Sequence, residues 1–166
     1  MTTLNCAVLT VSDTRTAADD TSGDLLVGFI EEDGHSLIAR AIVTDDIYQI
    51  RAQISQWIAA PDITVIVSTG GTGFTGRDST PEALLPLFDK TIDGFGELFR
   101  QISYAEIGSS TIQSRAVAGI ANGTLIFALP GSGNAVRTGW EKILRNQLDG
   151  NFKPCNFVEL LPRFKE

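Results

Sequence analysis

The sequence has few of the residues on which many small domains and catalytic sites depend. It contains two cysteines, Cys6 and Cys155, and one histidine, His35, among 166 residues. Two distant thiols exclude a disulfide scaffold, and these residues lack the spacing of a zinc site. A Ser-His-Asp hydrolase is excluded by the lone histidine and the missing G-x-S-x-G segment. Because no apolar run approaches the roughly 18 residues of a membrane span and residues 1–5 lack a cationic signal-peptide start, we expect a cytoplasmic protein.

Basic residues are also in the minority. There are 13 lysines and arginines against 20 aspartates and glutamates, which gives a net charge of −7. An acidic chain is not typical of proteins that bind nucleic acid, and we expect neither nucleic-acid nor membrane partners. Most of the bases lie in residues 84–166, so an anionic ligand is expected to find its arginines there. The candidates are Arg100, Arg115 and Arg137.

Short apolar runs rich in β-branched residues alternate with helical patterns along the chain. Three runs are nearly continuous, at residues 6–12, 63–69 and 124–129, and a weaker run lies at 37–43. Such runs are typical of strands that helices cover on both faces. The alternation predicts an α/β fold, a three-layer α/β/α sandwich with a mostly parallel sheet. We expect residues 1–166 to form a single domain.

Helical spacing of apolar residues follows each of these runs. The stripes lie at residues 25–30, 47–58, 84–88, 95–102 and 136–144. Thr80 is the expected N-cap of the third helix, with Pro81 as its first helical residue. The aromatic residues of the stripes are assigned to the core, because large apolar side chains at helical spacing are most often buried.

Each strong strand ends in a small polar loop ahead of a helix. The loops lie at residues 12–14, 69–73 and 130–134. Ligands of open α/β sheets bind outside the carboxyl ends of the strands, so the three loops are expected to meet at one site. The glycines of the second and third loops let backbone amides approach a phosphate, and the helix after the third adds its positive end. The alternative that these glycines only make tight turns stays open.

A dinucleotide-binding pattern occurs within the second loop. Gly71, Gly73 and Gly76 match G-x-G-x-x-G. In dinucleotide-binding folds the helix starts inside this motif and an acidic residue ends the next strand. Here Pro81 puts the expected N-cap, Thr80, four residues beyond Gly76, and helical spacing follows again. A nicotinamide-dependent oxidoreductase is therefore only a third hypothesis, which an absence of NAD binding in calorimetry would remove.

Carboxylates lie beside the polar loops. Asp78 stands between the second loop and the expected helix, and Asp45 and Asp46 open the helix after the weak strand. Mg²⁺ is usually held by one or two carboxylates together with substrate phosphates. Acids beside a phosphate site repel the ligand unless a cation lies between them, so the arrangement suggests a magnesium site. Helix capping by Asp45 and Asp46 and a turn role for Asp78 are the alternatives.

Six short segments carry a recognisable pattern. They are TVSD at 10–13, DTSG at 20–23, TGGTG at 69–73, DSTPEA at 78–83, GFGE at 94–97 and PG at 130–131. In this order, over nearly the whole chain, they resemble the MoaB/MogA family of molybdenum cofactor biosynthesis. The segments at 81–89 and 114–119 look closest to the MoaB branch.

The resemblance implies molybdopterin binding and, in active members, adenylyl transfer. The terminal phosphate of molybdopterin attacks the α-phosphorus of ATP and releases pyrophosphate. Homo-trimers or homo-hexamers are implied as well. The two acidic residues that matter for adenylylation in the family fall on Asp45 and Asp78, which would hold Mg²⁺; adjacent Asp46 leaves the first assignment open by one residue. The other implied ligand-binding residues are Ser12, Asp13, Thr69, Gly70, Gly71, Thr72, Gly73, Ser114, Arg115, Pro130, Gly131 and Ser132.

Two further hypotheses stand beside the oxidoreductase. The first is an Mg²⁺- and ATP-dependent molybdopterin adenylyltransferase. The second is a non-catalytic carrier of molybdopterin or an interaction protein of the pathway, because the same fold serves as a domain of scaffolding proteins. The aspartates at both family positions, Asp45 and Asp78, favour the enzyme.

Overall fold

Six strands form one sheet in the computed structural model, which describes residues 2–166. The strands are β1 (Asn5–Val11), β2 (Ser36–Val43), β3 (Val65–Thr69), β4 (Lys90–Thr91), β5 (Val117–Ala121) and β6 (Thr124–Leu129). Their order in the sheet is β2-β1-β3-β6-β5-β4. The first four strands in this order are parallel, whereas β5 is antiparallel to β6 and β4 to β5. The predicted α/β fold with a mostly parallel sheet is confirmed.

Helices connect the strands and cover the sheet. They are α1 (Thr21–Glu32), α2 (Ile47–Ala59), α3 (Thr80–Leu84), α4 (Asp93–Ile107), α5 (Gly133–Gly139) and α6 (Arg145–Gln147). A π-helical segment, Trp140–Leu144, joins α5 to α6, and 3₁₀ turns lie at Leu85–Leu87, Gly108–Gln113 and Val158–Arg163. Within residues 2–166, no helix has the length and apolar character needed to cross a membrane.

Two hydrophobic cores lie on opposite faces of the sheet. On β1, Cys6 and Val8 face one core, while Ala7 and Leu9 face the other. Helices α1, α4 and α5 pack on the first core, and α2 and α3 pack on the second. Because both faces of the central strands are covered, successive residues are apolar rather than alternately apolar and polar. The two covered faces give the predicted three layers.

The third helix is shorter than the apolar spacing predicts, and it starts one residue earlier. Ser79 is the residue before α3, and Thr80 is its first helical residue rather than its N-cap. The Thr80 hydroxyl instead donates to the Gly70 carbonyl at 2.9 Å. The helix ends at Leu84 and a 3₁₀ turn follows. Pro86 explains this end, because it has no amide proton and its ring obstructs the preceding helical turn.

Two strands have no counterpart in the sequence-based prediction. Strand β4 has two residues, both exposed. Strand β5 consists mostly of small residues, and it includes Gly119, where a Cβ would lie 2.2 Å from the Phe88 ring. Because a strand with small side chains lacks the β-branched or aromatic content of a typical strand, its pattern is weak. The MoaB-like segment at 114–119 thus runs into a strand.

The histidine and one cysteine are core residues without a chemical role in the fold. His35 is buried after α1, and its Nδ1 accepts a hydrogen bond from the Leu4 amide at 3.3 Å. Burial lowers the pKa of His35 and raises the pKa of the Cys6 thiol to about 12. The Cys6 thiol is therefore protonated at neutral pH, and both side chains are buried in the fold rather than open to a ligand.

Candidate functional site

A cavity of about 490 Å³ opens at the carboxyl ends of the parallel strands. The ends of β1, β3 and β6 form one side of it, and α4, α5 and the turn Gly108–Gln113 form the other. The three polar loops therefore meet at one edge of the sheet, as the sequence predicts. The residues predicted from the sequence that line this cavity are Ser12, Asp45, Thr69, Gly70, Gly71, Thr72, Gly73, Asp78, Ser114, Pro130, Gly131 and Ser132.

The loop at residues 69–73, called the glycine loop below, needs glycine where it turns away from β3. Gly70 has φ +100° and Gly71 has φ +70°, a region that residues with a Cβ rarely adopt. A Cβ on Gly70 would lie 2.2 Å from the Val11 carbonyl oxygen. The backbone of the loop is thus held close to the end of β1, at the floor of the cavity.

The carbonyl groups of residues 70–73 in the glycine loop all have partners outside the cavity. Thr80 donates to two of them, from its hydroxyl to the Gly70 oxygen at 2.9 Å and from its amide to the Gly71 oxygen at 3.0 Å. Arg115 donates to the next two, from its amide to the Thr72 oxygen at 3.1 Å and from Nε to the Gly73 oxygen at 2.9 Å. The start of α3 and the residues before β5 therefore fix the loop from behind.

The amide groups of the same loop are left open. The N–H groups of Gly71, Thr72 and Gly73 have no hydrogen-bond acceptor anywhere in residues 2–166. Main-chain amides are obligatory donors, so three consecutive unpaired ones beside a cavity call for an acceptor from outside the chain. Successive amides in such a turn form a concave donor surface that suits a phosphate or another anion.

Asp45 lines the cavity beside this loop, and only 8% of its surface is exposed. Its Oδ1 accepts hydrogen bonds from the Ser79 amide at 3.1 Å and the Ser79 hydroxyl at 2.9 Å. Its Oδ2 receives no hydrogen bond from the described part of the chain. Burial raises the pKa of Asp45, the Ser79 hydrogen bonds act against the rise, and the nearby negative charges of Asp78 and Asp13 add to it.

The neighbouring aspartate is used differently. Asp46 is the N-cap of α2, and its Oδ1 accepts from the amides of Tyr48 and Gln49, both at 3.0 Å. That is the ordinary capping role of an aspartate. Of the two candidates left open by the sequence, the structure brings Asp45 to the cavity and uses Asp46 to start the helix.

Asp78 lines the cavity at the Gly73 end of the glycine loop. Its Oδ2 accepts from the Thr75 amide at 2.9 Å and the Thr75 hydroxyl at 2.8 Å, while its Oδ1 receives no hydrogen bond within residues 2–166. A Cβ on Gly73 would lie 2.6 Å from the Asp78 Oδ2, so the absent side chain makes room for the carboxylate. Asp45 and Asp78 therefore each keep one free carboxylate oxygen at the same cavity.

Asp13 and Arg115, two of the predicted ligand-binding residues, are not among the residues that line the cavity. Asp13 accepts from the Asp45 amide at 3.0 Å and pairs with Arg77 at 2.8 Å. The Arg77 hydrogen bond is the main reason why the pKa of Asp13 is lowered to about 2. Arg115 is turned behind the glycine loop, where it also donates to the Asp78 carbonyl at 3.2 Å and pairs with Glu82. Both residues support the cavity wall instead.

The other two candidate arginines lie elsewhere too. Arg100 donates to the carbonyl oxygens of Ser114 and Ala116, both at 3.3 Å. Arg137 lies 3.7 Å from Glu141 one helical turn away. Neither is among the residues that line the cavity, because each guanidinium points to a partner on its own helix or on the adjacent chain segment.

One cation does line the cavity, and sequence reasoning missed it. Arg15 follows β1, and its Nη1 donates to the Asp19 carbonyl at 2.6 Å and the Thr21 hydroxyl at 2.8 Å. Among the cavity-lining residues in the described chain, it is the one basic side chain. The sequence does indicate Arg15, which comes directly after the first polar loop, but most of the basic residues lie in residues 84–166.

The wall formed by α4 and α5 was missed as well. Its polar residues come from one face of α4 and its following turn and from the first turns of α5. The missed residues are Ser103, Glu106, Ser110, Gln113 and Thr138, and they lie beside Asn134 of the predicted loop at 130–134. The signal in the sequence is polar residues at helical spacing beside the buried Phe99, which break the apolar stripe at the C-terminal end of α4.

Comparison with known proteins agrees with this geometry. Residues 7–150 match a family model described as a probable molybdopterin binding domain. The chain is 58% identical over 151 residues to molybdenum cofactor biosynthesis protein B of Escherichia coli (strain K12), covering 91% of this chain and 89% of that protein. It is 42% identical over 146 residues to the protein of that name from Bacillus subtilis (strain 168), covering 87% of this chain and 86% of that protein.

Solved structures give the same result. A crystal structure of a molybdenum cofactor biosynthesis protein B has a TM-score of 0.86 and 43% identity, covering 89% of this chain and 92% of the other. The tungsten cofactor synthesizing protein MoaB from Pyrococcus furiosus has a TM-score of 0.77 and 40% identity, covering 86% and 91%. The chain belongs to the MoaB/MogA family of molybdenum cofactor biosynthesis proteins and contains that family's molybdopterin-binding domain.

Proposed function

We propose that this protein is a molybdopterin adenylyltransferase that uses Mg²⁺ and ATP. An oxygen of the terminal phosphate of molybdopterin forms a bond to the α-phosphorus of ATP, and the bond from that phosphorus to the bridging oxygen breaks. The products are adenylyl-molybdopterin and pyrophosphate. The observation that carries the proposal is the set of unpaired amides at Gly71, Thr72 and Gly73 beside two carboxylates with free oxygens.

The reaction suits a cavity with no histidine. The attacking phosphate is already an anion, so the transfer needs positioning and charge neutralisation more than it needs a general base. The glycine-loop amides would hold phosphate oxygens, because donors fixed before the reaction stabilise charge without reorganising. The hydroxyl of Ser114 is buried and has no hydrogen-bond partner in residues 2–166, so it is a further free donor on this wall.

The carboxylates fit a magnesium ion. Within residues 2–166 no three His, Cys, Asp or Glu residues cluster in a metal-binding arrangement, but Mg²⁺ commonly takes only two protein carboxylates and completes its shell with substrate phosphates and water. Asp45 Oδ2 and Asp78 Oδ1 are the oxygens free for this. When bound, Mg²⁺ supplies charge neutralisation and alignment of the phosphates. The mutual repulsion that helps to raise the pKa of Asp45 is what such a cation would relieve.

Arg15 is the side chain that would contact the leaving pyrophosphate or the phosphate of molybdopterin. The hydrogen bonds to Asp19 and Thr21 use Nη1, so Nε and Nη2 remain free to donate. A guanidinium can bind phosphate through two parallel hydrogen bonds. Arg15 thus takes the part for which the sequence offered Arg100, Arg115 and Arg137 as candidates.

A non-catalytic molybdopterin carrier is the alternative function. It shares the fold and the cavity, and it needs neither free carboxylate. The assay that separates the two mixes the purified full chain with molybdopterin and Mg·ATP and measures adenylyl-molybdopterin and pyrophosphate. We expect both products from the wild type, a loss of about 10²–10³-fold in Asp78→Asn, and no change in Asp62→Asn, an exposed aspartate away from the cavity. Molybdopterin binding by the wild type without either product would overturn the transferase and leave the carrier.

The expected homo-oligomer stays a prediction. Apolar side chains around a groove beside β5 are open to solvent, with Leu85 at 45% and Ile112 at 71% exposure. Exposed large apolar residues that lie together are typical of contact surfaces. Light scattering on the purified chain would distinguish a trimer or hexamer from a monomer.

A further inference from the structure

A third carboxylate lines the cavity. It belongs to the wall formed by α4 and α5, whereas the aspartates and the glycine loop lie at the strand ends. Glu106 lies near the end of α4, and its carboxylate faces the first turns of α5. Asn134 Nδ2 donates to its Oε2 at 2.9 Å, and the Thr138 hydroxyl lies 3.4 Å from both oxygens. These contacts orient the carboxylate in the cavity wall.

Glu106 has no cation to balance it. Among residues 2–166 no lysine, arginine or histidine lies within salt-bridge distance of its oxygens. A phosphate would be repelled here, and in the proposed function Mg²⁺ is already held by Asp45 and Asp78. The part of a ligand that this carboxylate favours is therefore one that donates hydrogen bonds and carries no negative charge.

We propose that Glu106 binds the pterin ring of molybdopterin through the ring's 2-amino group and N3–H. These two groups are adjacent donors in one plane, and a carboxylate offers two acceptors at matching separation. Oε1 has only the long Thr138 contact, so it keeps its acceptor capacity, and Oε2 accepts one short hydrogen bond and can accept another. The inference rests on the proposed function in taking molybdopterin as the ligand of this cavity.

Apolar residues beside Glu106 suit the flat ring. Ile107 is 48% exposed next to it, and Phe99 lines the same wall from two turns earlier in the buried stripe of α4. A pterin placed against this wall would have an apolar face in contact and its donor edge on the carboxylate. Its phosphate would then reach towards the glycine loop. Main-chain amide donors would bind the phosphate end of the ligand, and a carboxylate acceptor would bind the pterin end.

The direct test compares Glu106→Gln with the wild type. Glutamine keeps the size but replaces one acceptor by a donor that opposes the pterin donors. We expect the dissociation constant for molybdopterin to rise by about tenfold or more, while that for Mg·ATP stays within about twofold. Glu31→Gln, an exposed glutamate on α1 outside the cavity, should leave both unchanged. Unchanged molybdopterin binding in Glu106→Gln, or equal losses for both ligands, would overturn the proposal.

A second measurement excludes a purely structural role. Binding of 6-hydroxymethylpterin is compared by ligand-observed NMR with that of its 2-dimethylamino analogue, which keeps N3–H but lacks the 2-amino donor and so cannot form the paired hydrogen bonds. The wild type should prefer the parent pterin by about tenfold, and Glu106→Gln should lose that preference. Equal preference in both proteins would contradict the role of Glu106. Both tests measure binding alone, so they are separable from a failure of the wild type to form adenylyl-molybdopterin.

Discussion

The two sides of the glycine loop use the same backbone for different purposes. On the side of α3 and β5, Thr80 and Arg115 satisfy every carbonyl from Gly70 to Gly73. On the cavity side, three consecutive amides have no partner in the described chain, and two aspartates keep free oxygens. The difference shows how a fold prepares a binding surface. One side is made rigid by complete hydrogen bonding so that the other can stay open to a ligand.

The largest expected effect is a loss of stability when a side chain is added at Gly70, where the fold leaves no space for a Cβ. Gly70→Ala puts a Cβ on a residue at φ +100° and 2.2 Å from the Val11 carbonyl oxygen. Strain and overlap together should lower the free energy of unfolding by about 4 kcal/mol. Chemical denaturation measures this. Gly76→Ala is the control, since a Cβ there meets nothing within 4 Å, and it should change stability little. Equal stability of both variants would show that the loop is not held as described.

The second largest effect is expected from a substitution on the cavity side of the glycine loop. It should lower activity without changing stability. Asp45→Asn removes a carboxylate that would hold Mg²⁺ but keeps an oxygen for Ser79, so the fold should be retained. We expect adenylylation to fall by about 10²–10³-fold, with thermal stability nearly unchanged. Asp46→Asn, which keeps a capping side chain on α2, is the matched neighbour and should retain activity. If Asp46→Asn were the inactive variant, the assignment between the two aspartates would be reversed.

A substitution behind the glycine loop should have the opposite effect, lowering stability more than activity. Arg115→Lys keeps a positive charge but cannot reproduce the three-way contact with Gly73, Asp78 and Glu82. We expect a loss of stability of about 2 kcal/mol and a smaller loss of activity, because the loop loosens without losing its own donors. Denaturation and turnover are measured on the same preparation. A large loss of activity with full stability would instead make Arg115 a ligand-binding residue.

Arg15 should have a smaller effect that appears in substrate binding. Arg15→Lys removes the planar pair of donors but keeps the charge. We expect about a tenfold rise in KM for ATP or for molybdopterin, with little change in stability. Steady-state kinetics with each substrate varied in turn shows which phosphate the guanidinium contacts. Wild-type kinetics for both substrates would remove Arg15 from the site.

The smallest effect concerns pH. Burial raises the pKa of Asp45, and the negative charge of Asp78 contributes to the rise. Asp45 must be ionised to hold Mg²⁺, so magnesium-dependent activity should decline on acidification at a higher pH than an ordinary aspartate would give. Asp78→Asn should lower the pKa of Asp45, which carboxyl NMR titration of the protein measures directly. An unchanged or raised Asp45 pKa in that variant would mean that the two carboxylates are not electrostatically coupled.

The parallel part of the fold could be predicted from the sequence because its signals are local. Strands β1, β3 and β6 are buried on both faces, so each is a continuous apolar run that ends in a polar loop. The antiparallel edge could not be predicted, because β5 is built from small residues around Gly119 that accommodate Phe88 from elsewhere in the chain. Its identity depends on a long-range contact, which no local pattern contains.

The candidate site likewise has a part that the sequence predicts and a part that depends on long-range contacts. The glycine loop, Asp45 and Asp78 follow strand ends, so strand prediction locates them at the cavity. The direction of each side chain depends on partners far away in the sequence. Arg115 turns behind the loop because Gly73 and Glu82 accept its hydrogen bonds, and Glu106 joins the cavity only because α4 packs beside α5. Sequence reasoning therefore finds which residues are near the site better than which of them face the ligand.

The central claim is that the open amides of the glycine loop bind the phosphates. Amide NMR spectra of isotope-labelled full-length protein, titrated with molybdopterin and separately with Mg·ATP, test it most directly. We expect the resonances of Gly71, Thr72 and Gly73 to shift strongly with either ligand, while that of Gly28, a half-buried glycine on α1 outside the cavity, does not move. Shifts confined to other parts of the protein, with these three amides unmoved, would contradict it.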